Sequence, residues 1–505
     1  MRTTAVIALV LAFSSGALDP AGSSLLYRAA IAAPAQKPNI IFILTDDLDA
    51  RTIEAMPKLK ALLIDRGVTF ANFFVSYALC CPSRASILRG QYAHNTGVLG
   101  NRPPAGGFET FHDLGREAST VATWLKAAGY RTGYFGKYLN GYPLRVEPTY
   151  VPPGWDEWNS PVTNSAYRMF NYRMNENGKI VSYGSRPEDY ITDVLARKTV
   201  DFIRRGGQPF FIHLATYAPH GPATPAPRHA DLFAGARAPR GPSFNEADVG
   251  DKPGWLQNRP QLIPQQIARL DVLYQRRLQS LQAVDDLIAS VVDTLRATGE
   301  LQRTYVFFSS DNGFHLGEHR LPAGKNTAYE EDIHVPLIVI GPGVPAARSV
   351  EHLAVNVDLA PTWAELAGAA APSFVDGRSL LPLLEPPPPP ADRWRQSFLV
   401  EHFTEQRRAG DIDPEPPDEP AVPPQIAARA VPTLAALRTR TYVYVEYATG
   451  DRELYDLVRD PLELQNISGT ASRSLLSALA TRLAALRRCS GAACRSIEDM
   501  SVPRP

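Results

Sequence analysis

Ala78-Leu79-Cys80-Cys81-Pro82-Ser83-Arg84-Ala85-Ser86-Ile87-Leu88-Arg89-Gly90 places a thiol two residues before a proline and an arginine two residues after it. Proline is favoured in the first turn of a helix, where its missing N–H costs nothing. The spacing therefore predicts a helix opened by Pro82 and running through Leu88, with Cys80 just ahead of it. At such a spot unpaired N–H groups and the positive end of the helix dipole favour negative charge. Arg84 lies within one turn and reaches the same place. An anionic substrate held against a nucleophile fits this pattern. Two packed thiols fit it as well, because cysteine is among the most buried residue types.

Two strand-like runs carry the next signal. Asn39-Ile40-Ile41-Phe42-Ile43-Leu44 is continuously apolar, as expected of a strand covered on both faces, and it runs into Thr45-Asp46-Asp47. Thr304-Tyr305-Val306-Phe307-Phe308-Ser309-Ser310 repeats the design and ends in Asp311-Asn312-Gly313. Open α/β sheets bind ligands at the carboxyl ends of their parallel strands. Asp also favours solvated turns, and one such pair alone would read that way. Two copies offer oxygen ligands from Asp46, Asp47, Asp311 and Asn312, a set suited to calcium or magnesium rather than zinc or copper.

Val121 to Ala128 reads as a helix stopped by Gly129. Gly136-Lys137-Tyr138-Leu139-Asn140 follows a further run, and Lys137 taken alone is a solvated turn residue. Pro209 to Ala215 reads as a third strand, leading to Ala218-Pro219-His220-Gly221-Pro222, where His220 alone is an exposed loop residue. Ile263 to Thr298 repeats apolar residues three and four apart, at Leu270, Leu273, Leu278, Leu281, Val284, Leu287, Ile288 and Val291. That is a core-facing helix, or two, with no legible chemistry. Val335 to Ile340 is a further strand. Pro386 to Pro390 is a stiff extended segment and marks a boundary. Beyond it, Thr441–Tyr447 and Glu453–Leu457 read as a hairpin, and Ser472 to Arg488 as an amphipathic helix. The expected division is a signal peptide at 1–35, a catalytic domain at 36–385 and a C-terminal subdomain at 386–505.

The chain has 505 residues, 44% of them hydrophobic, enough for a large core. Lys+Arg and Asp+Glu are equal at 52 each, so no nucleic-acid or polyanion-coating surface is indicated and anion binding must be local. Met1-Arg2 followed by the short apolar run Ala5 to Phe13, with small residues at 30–35, reads as an export signal, hence a secreted or periplasmic protein. No later segment approaches the length of a membrane span. Of four cysteines, Cys489 and Cys494 are spaced to close a small disulfide loop, which leaves Cys80 and Cys81 for chemistry or packing. No Cys/His spacing resembles a zinc site.

The Cys80 stretch, read as cysteine, any residue, proline, serine, arginine, two residues, two apolar residues, one residue and glycine, resembles the signature of the sulfatase family. The resemblance implies an α/β fold: a large mixed, mostly parallel sheet flanked by helices, as in alkaline phosphatases, with a smaller C-terminal antiparallel sheet plus helix. It implies that Cys80, not Cys81, is oxidised by a formylglycine-generating enzyme to the aldehyde formylglycine. It assigns Asp46, Asp47, Asp311 and Asn312, with residue 80, to a calcium ion (magnesium as the alternative). Gly129 to Asn140 resembles the family's second signature, which puts Lys137 on the sulfate and the formylglycine hydroxyl. His220 becomes the leaving-group acid candidate, Lys325 a sulfate-binding lysine, and His315 a weaker candidate for substrate contact. Many arylsulfatases have a histidine where this chain has Leu139. That departure, with Pro152-Pro153-Gly154-Trp155 and Asn171-Tyr172, is similar to N-acetylglucosamine-6-sulfatases and extracellular heparan-sulfate 6-O-sulfatases.

The implied activity is hydrolysis of sulfate monoesters on sulfated sugars, such as N-acetylglucosamine 6-sulfate. Rivals are an arylsulfatase of broad specificity, a phosphomonoester or phosphodiester hydrolase of the same superfamily, and a catalytically dead carbohydrate-binding protein. In the implied mechanism one hydroxyl on the hydrated residue 80 attacks sulfur while His220 or Lys325 protonates the departing oxygen. The sulfate is then expelled as the second hydroxyl on the same carbon loses its proton and the aldehyde reforms. Arg84, Lys137, Lys325 and the cation surround the sulfuryl oxygens. Cys80→Ser retains a hydroxyl but has no second one, so steady-state turnover is expected to be lost. A sulfate-release assay at the wild-type rate in that variant refutes the aldehyde chemistry.

Overall fold

Asn39–Thr45 is buried along its whole length, and the molecule is layered around it. The protein is seen here as a computed structural model, which describes residues 37–162, 164–405 and 431–501. The expected signal segment at 1–35 lies outside the described residues. No described helix is long and apolar enough to cross a membrane.

In chain order the strands are β1 (Asn39–Thr45), β2 (Val68–Phe70), β3 (Phe73–Phe74), β4 (Arg131–Gly136), β5 (Glu157–Pro161), β6 (Arg173–Glu176), β7 (Lys179–Ser182) and β8 (Phe210–Ala215). They continue with β9 (Thr304–Ser310), β10 (Leu337–Ile340), β11 (Arg348–Val350), β12 (Ala354–Val355), β13 (Ser397–His402), β14 (Leu434–Thr439), β15 (Tyr442–Tyr447) and β16 (Arg452–Asp456). Ten of them form one sheet in the order β11-β2-β10-β9-β1-β8-β4-β5-β6-β7. Its middle, β9-β1-β8-β4-β5, is parallel throughout, while antiparallel pairs lie to either side. The expected large, mixed α/β sheet is therefore present, and its parallel block carries every strand end named above for chemistry.

Alternation along β1 explains its unbroken apolar run. Ile40, Phe42 and Leu44 enter one buried cluster with Ala85, Ile87 and Leu88 of helix Cys80–Arg89. Ile41 and Ile43 enter the other, with Val284, Leu287, Ile288 and Val291. Side chains of a strand alternate between faces, so a strand covered by helices on both sides must be apolar at every position. The long apolar repeat after Ile263 is one continuous helix, Pro264–Ala297, with proline in its first turn.

The C-terminal sheet is antiparallel, in the order β13-β14-β15-β16. Its hairpin and its following helix, Arg473–Leu486 capped by Ser472, stand where the sequence placed them. Strands β13 and β14 were not legible: they flank the stretch 406–430, so they are not neighbours in sequence. Phe398, Leu437 and Tyr444 of this sheet share one apolar cluster with Phe42 of β1. Cys489 and Cys494 are disulfide-bonded, while Cys80 and Cys81 are free and buried.

His213 on β8 is a buried polar exception among Phe42, Tyr134 and Trp155. Neither ring nitrogen has a hydrogen-bond partner. Burial, and then the charge of Arg84, lowers its pKa to about 3 from 6.5. The folded chain thus holds His213 neutral while the unfolded chain protonates it below pH 6.5. Stability that is fully present above that pH is lost progressively as pH falls toward 3. His213→Phe is expected to remove this share of the acid loss, on the order of a few kcal/mol. Urea midpoints measured from neutral pH downward would carry the same acid slope in variant and wild type if the ring were not buried neutral.

Candidate active site

Register brings the two acidic strand ends together. Thr45 pairs with Ser310 on parallel strands β1 and β9, so Asp46-Asp47 and Asp311-Asn312 leave the same edge side by side. Ser310 Oγ accepts from the Leu48 N–H at 2.8 Å, and Thr45 Oγ1 donates to the Ser309 carbonyl at 3.0 Å. The turn after β1 is tight: Asp47 has φ of 67°, left-handed backbone that non-glycine residues rarely adopt. Its N–H donates to Asp311 Oδ1 at 3.1 Å. On the other side of β1, the Asp46 N–H donates to the Ala218 carbonyl at 3.3 Å, which draws in the loop carrying His220.

Lys137 arrives from β4. Gly136 has φ of 112°, and a Cβ there would lie 1.7 Å from the Ala215 carbonyl oxygen of β8. Only glycine permits that approach, and the Lys137 N–H then bonds the same carbonyl at 3.0 Å. Rather than a solvated turn residue, Lys137 is buried. Its Nζ donates to Asp46 Oδ2 at 2.6 Å.

The helix bearing the thiol begins earlier than its proline suggested. It spans Cys80–Arg89 with Leu79 as the cap, so Cys80 is its first residue and Pro82 its third. Proline needs no N–H partner anywhere in the first turn, and the helix can therefore open two residues before it. The N–H of Cys81 is not left for an anion, because it donates to Asn101 Oδ1 at 2.9 Å.

Cys80 Sγ lies 3.3 Å from Asp46 Oδ1 and 3.9 Å from Asp47 Oδ1. Lys325 Nζ stands 3.0 Å from Sγ and donates to Asp47 Oδ1 at 2.7 Å. Its loop is tied to the signature stretch by the Asn326 N–H, which donates to the Ala78 carbonyl at 3.1 Å. Arg84 donates through Nε to Asp311 Oδ2 at 2.8 Å and through Nη1 to the Lys137 carbonyl at 2.7 Å. His220 Nε2 faces Asp47 Oδ2 at 3.6 Å. Ligand atoms of Asp46, Asp47, Cys80 and His220 all lie within 4.8 Å of one another. Asp311 and Asn312 join through hydrogen bonds, Asn312 Nδ2 donating to Asp47 Oδ1 at 2.6 Å.

The electrostatics follow from burying these groups together. Burial pushes the Asp46 carboxyl up, but Lys137, His220, Arg84 and Lys325 outweigh it and hold the group below the usual carboxylate range. Asp311 is pushed up to about 6, first by burial and then by Asp46. Burial, then Asp46, raises the Cys80 thiol, which is held protonated. As to a cation, Asp47 Oδ2 and Asn312 Oδ1 are buried oxygens that accept no hydrogen bond. Two orphaned oxygens beside two further carboxylates fit a hard divalent ion.

His315 is one backbone bridge from the Lys325 segment, pairing with Gly324, and its Nδ1 is held by Asp332 Oδ1 at 2.8 Å. Leu139 is buried in the apolar cluster. Two further residues reach the centre. Tyr167 lays its ring 5.0 Å from Lys137 Nζ and 4.7 Å from the His220 ring. It comes from a short 3-10 helix, Asn164–Arg168, with no pattern to single it out. Arg277, in the long helix, donates to the carbonyls of Asp47 and Pro219. Here the sequence did hold a signal: Arg277 falls on the apolar stripe, four residues after Leu273 and four before Leu281.

Comparison with known proteins places this arrangement. The sequence profile described as Sulfatase matches residues 38–369. The Homo sapiens N-acetylglucosamine-6-sulfatase is 37% identical over 493 residues, covering 92% of this chain and 87% of that protein. An extracellular sulfatase SULF-1 homolog of Drosophila melanogaster is 37% identical over 76% of this chain, a match spanning 35% of that longer protein. A solved structure of a protein in complex with its substrate D-glucosamine-2-N,6-O-disulfate superposes with a TM-score of 0.69 at 25% identity. That match covers 89% of this chain and 97% of the other.

The Lys137–Asp46 pair gives a direct test of the charge balance. Lys137→Met leaves a buried carboxylate short of its partner, and is expected to cost about 3–5 kcal/mol of stability in chelator-treated protein. Adding Asp46→Asn should recover more than about 1 kcal/mol of that cost. Urea unfolding of the single and double variants measures the coupling, and strictly additive costs would mean that the two groups do not interact.

Proposed function

Because this chain belongs to the sulfatase family and is a sulfuric ester hydrolase, we propose that it removes the 6-sulfate from glucosamine residues of sulfated carbohydrates, using Cys80 in its formylglycine form and a divalent cation. The observation that carries the reading is the meeting of Lys325, Asp46 and Asp47 around Cys80 Sγ. Sγ stands for the oxygen that the converted residue would carry. The sugar follows from the relatives named N-acetylglucosamine-6-sulfatase and from the glucosamine disulfate held by a protein of the same fold.

Asp46, Asp47, Asp311 and Asn312, with residue 80, would hold calcium or magnesium, which supplies Lewis-acid neutralisation of charge at the sulfuryl group. Formylglycine supplies a nucleophile that can release the sulfate it takes up. The remaining work falls to the chain. Three carboxylates and three side-chain cations balance in charge, counting Asp46, Asp47 and Asp311 against Arg84, Lys137 and Lys325. A divalent ion therefore leaves a net positive pocket for a singly charged sulfate ester. Lys325 holds charge at the atom attached to residue 80, and Lys137 faces it across Asp46. Arg84 fixes Asp311 and the end of β4 with two bonds.

His220 is the proton donor to the departing oxygen. Its Nδ1 lies 2.8 Å from the Gly221 carbonyl, which can only accept, while Nε2 faces the carboxylate of Asp47. With Nδ1 carrying the hydrogen bond to the Gly221 carbonyl, Nε2 is the ring nitrogen turned toward the centre, from which it would deliver the proton. His315 borders the substrate side. Residues 1–35 are proposed as the signal peptide of a secreted or periplasmic enzyme, 36–385 as its catalytic domain and 386–505 as the C-terminal subdomain. Maturation requires a formylglycine-generating enzyme.

The test combines a mass measurement of the peptide around residue 80 with sulfate release from N-acetylglucosamine 6-sulfate, its 3-sulfated isomer, an aryl sulfate and an aryl phosphate. The expected outcome is an oxidised residue 80, preference for the 6-sulfate, and loss of turnover on chelation that calcium or magnesium restores. Faster turnover of the phosphate, or full activity with an unmodified thiol, overturns the reading.

A further inference from the structure

Arg277 sits within the helix Pro264–Ala297 and is fully buried. Taking a guanidinium out of water is expensive, so its partners indicate what it is for. It donates through Nη2 to the carbonyl of Asp47 and through Nη1 to that of Pro219, at 3.3 Å. Its Cζ lies 4.2 Å from the centre of the Phe314 ring. These three contacts fall on three different loops, leaving β1, β8 and β9. Each loop carries a group of the centre: Asp47 itself, His220 one residue past Pro219, and Asn312 two residues before Phe314.

We propose that Arg277 is the positioning residue that locks these three loops into one cation-binding geometry. The inference rests on the reading of Asp46, Asp47, Asp311 and Asn312 as cation ligands. Asp47 turns its carboxylate toward Cys80, Lys325 and Asn312. It does so from left-handed backbone with φ of 67°, a costly conformation that persists only where surroundings impose it. The bond from Arg277 to its carbonyl is such an imposition, made to the backbone and not to the carboxylate. A planar fork can hold two carbonyls and lie on a ring at once. A lysine there would reach one carbonyl at a time.

The test is calorimetric titration of chelator-treated, full-length enzyme with calcium alone and with magnesium alone, in wild type, Arg277→Met, Arg277→Lys and Arg395→Lys. Arg395 is an equally buried arginine paired with Asp358 and Glu498, and serves as a control for general core damage. Arg277→Met is expected to weaken cation binding about 10–100-fold, and Arg277→Lys at least about fivefold. Arg395→Lys should lower the unfolding midpoint with cation affinity unchanged. In the Arg277 variants kcat should fall more than KM rises. Affinity within about twofold of wild type in Arg277→Met, or in Arg277→Lys if the first does not fold, overturns the proposal. A wild-type enzyme that binds neither cation overturns the metal reading and this inference with it, whereas wild-type binding with unaffected variants overturns this inference alone.

Discussion

Asp46, Asp47 and Asp311 are fully buried beside one another, and the local architecture follows from making that concentration of charge tolerable. Three carboxylates in low dielectric repel one another, and the rise of Asp311 to about 6 expresses that repulsion together with its burial. Lys137 compensates Asp46, Lys325 compensates Asp47, and Arg84 compensates Asp311. Each of these cations is itself buried, so none could be there without its carboxylate. The assembly is mutually dependent. It also leaves two buried oxygens, Asp47 Oδ2 and Asn312 Oδ1, that accept no hydrogen bond.

The parallel block of the sheet is what makes this convergence possible. Strands that run the same way end at the same edge, so β1, β9, β8 and β4 deliver Asp46-Asp47, Asp311-Asn312, His220 and Lys137 to one place. Helix Cys80–Arg89 lies over one face of the sheet and brings the thiol to that edge. Helix Pro264–Ala297 lies over the other and brings Arg277 beneath it. The site is thus enclosed from both faces by elements whose apolar sides form the two cores. A rigid, close-packed surround of this kind lets charged groups act without reorganising.

Much of this was legible in the chain. The unbroken apolar runs of β1 and β9 marked strands covered on both faces, and the signature around Cys80, with Lys137, His220 and Lys325, marked the residues that gather at the sulfur. The helix start was misplaced by two residues because proline tolerates any position in the first turn. Strands β13 and β14 escaped because pairing across a long intervening stretch leaves no local pattern. Lys137 and His220, each a bland loop residue in isolation, are buried here because paired strand ends close over them.

What the sequence determined by itself was the candidate set of a thiol, oxygens and cations that the fold brings together, since motif spacing fixes residue type and order along a strand end or a helix turn. What only the tertiary structure decided was the surroundings. Tyr167 against Lys137 and His220, Asn101 on the Cys81 N–H, and Arg277 bracing three loops are contacts between segments far apart in the chain. Such contacts depend on strand register and helix placement, which distribute over the whole fold and leave no mark in any short window of sequence.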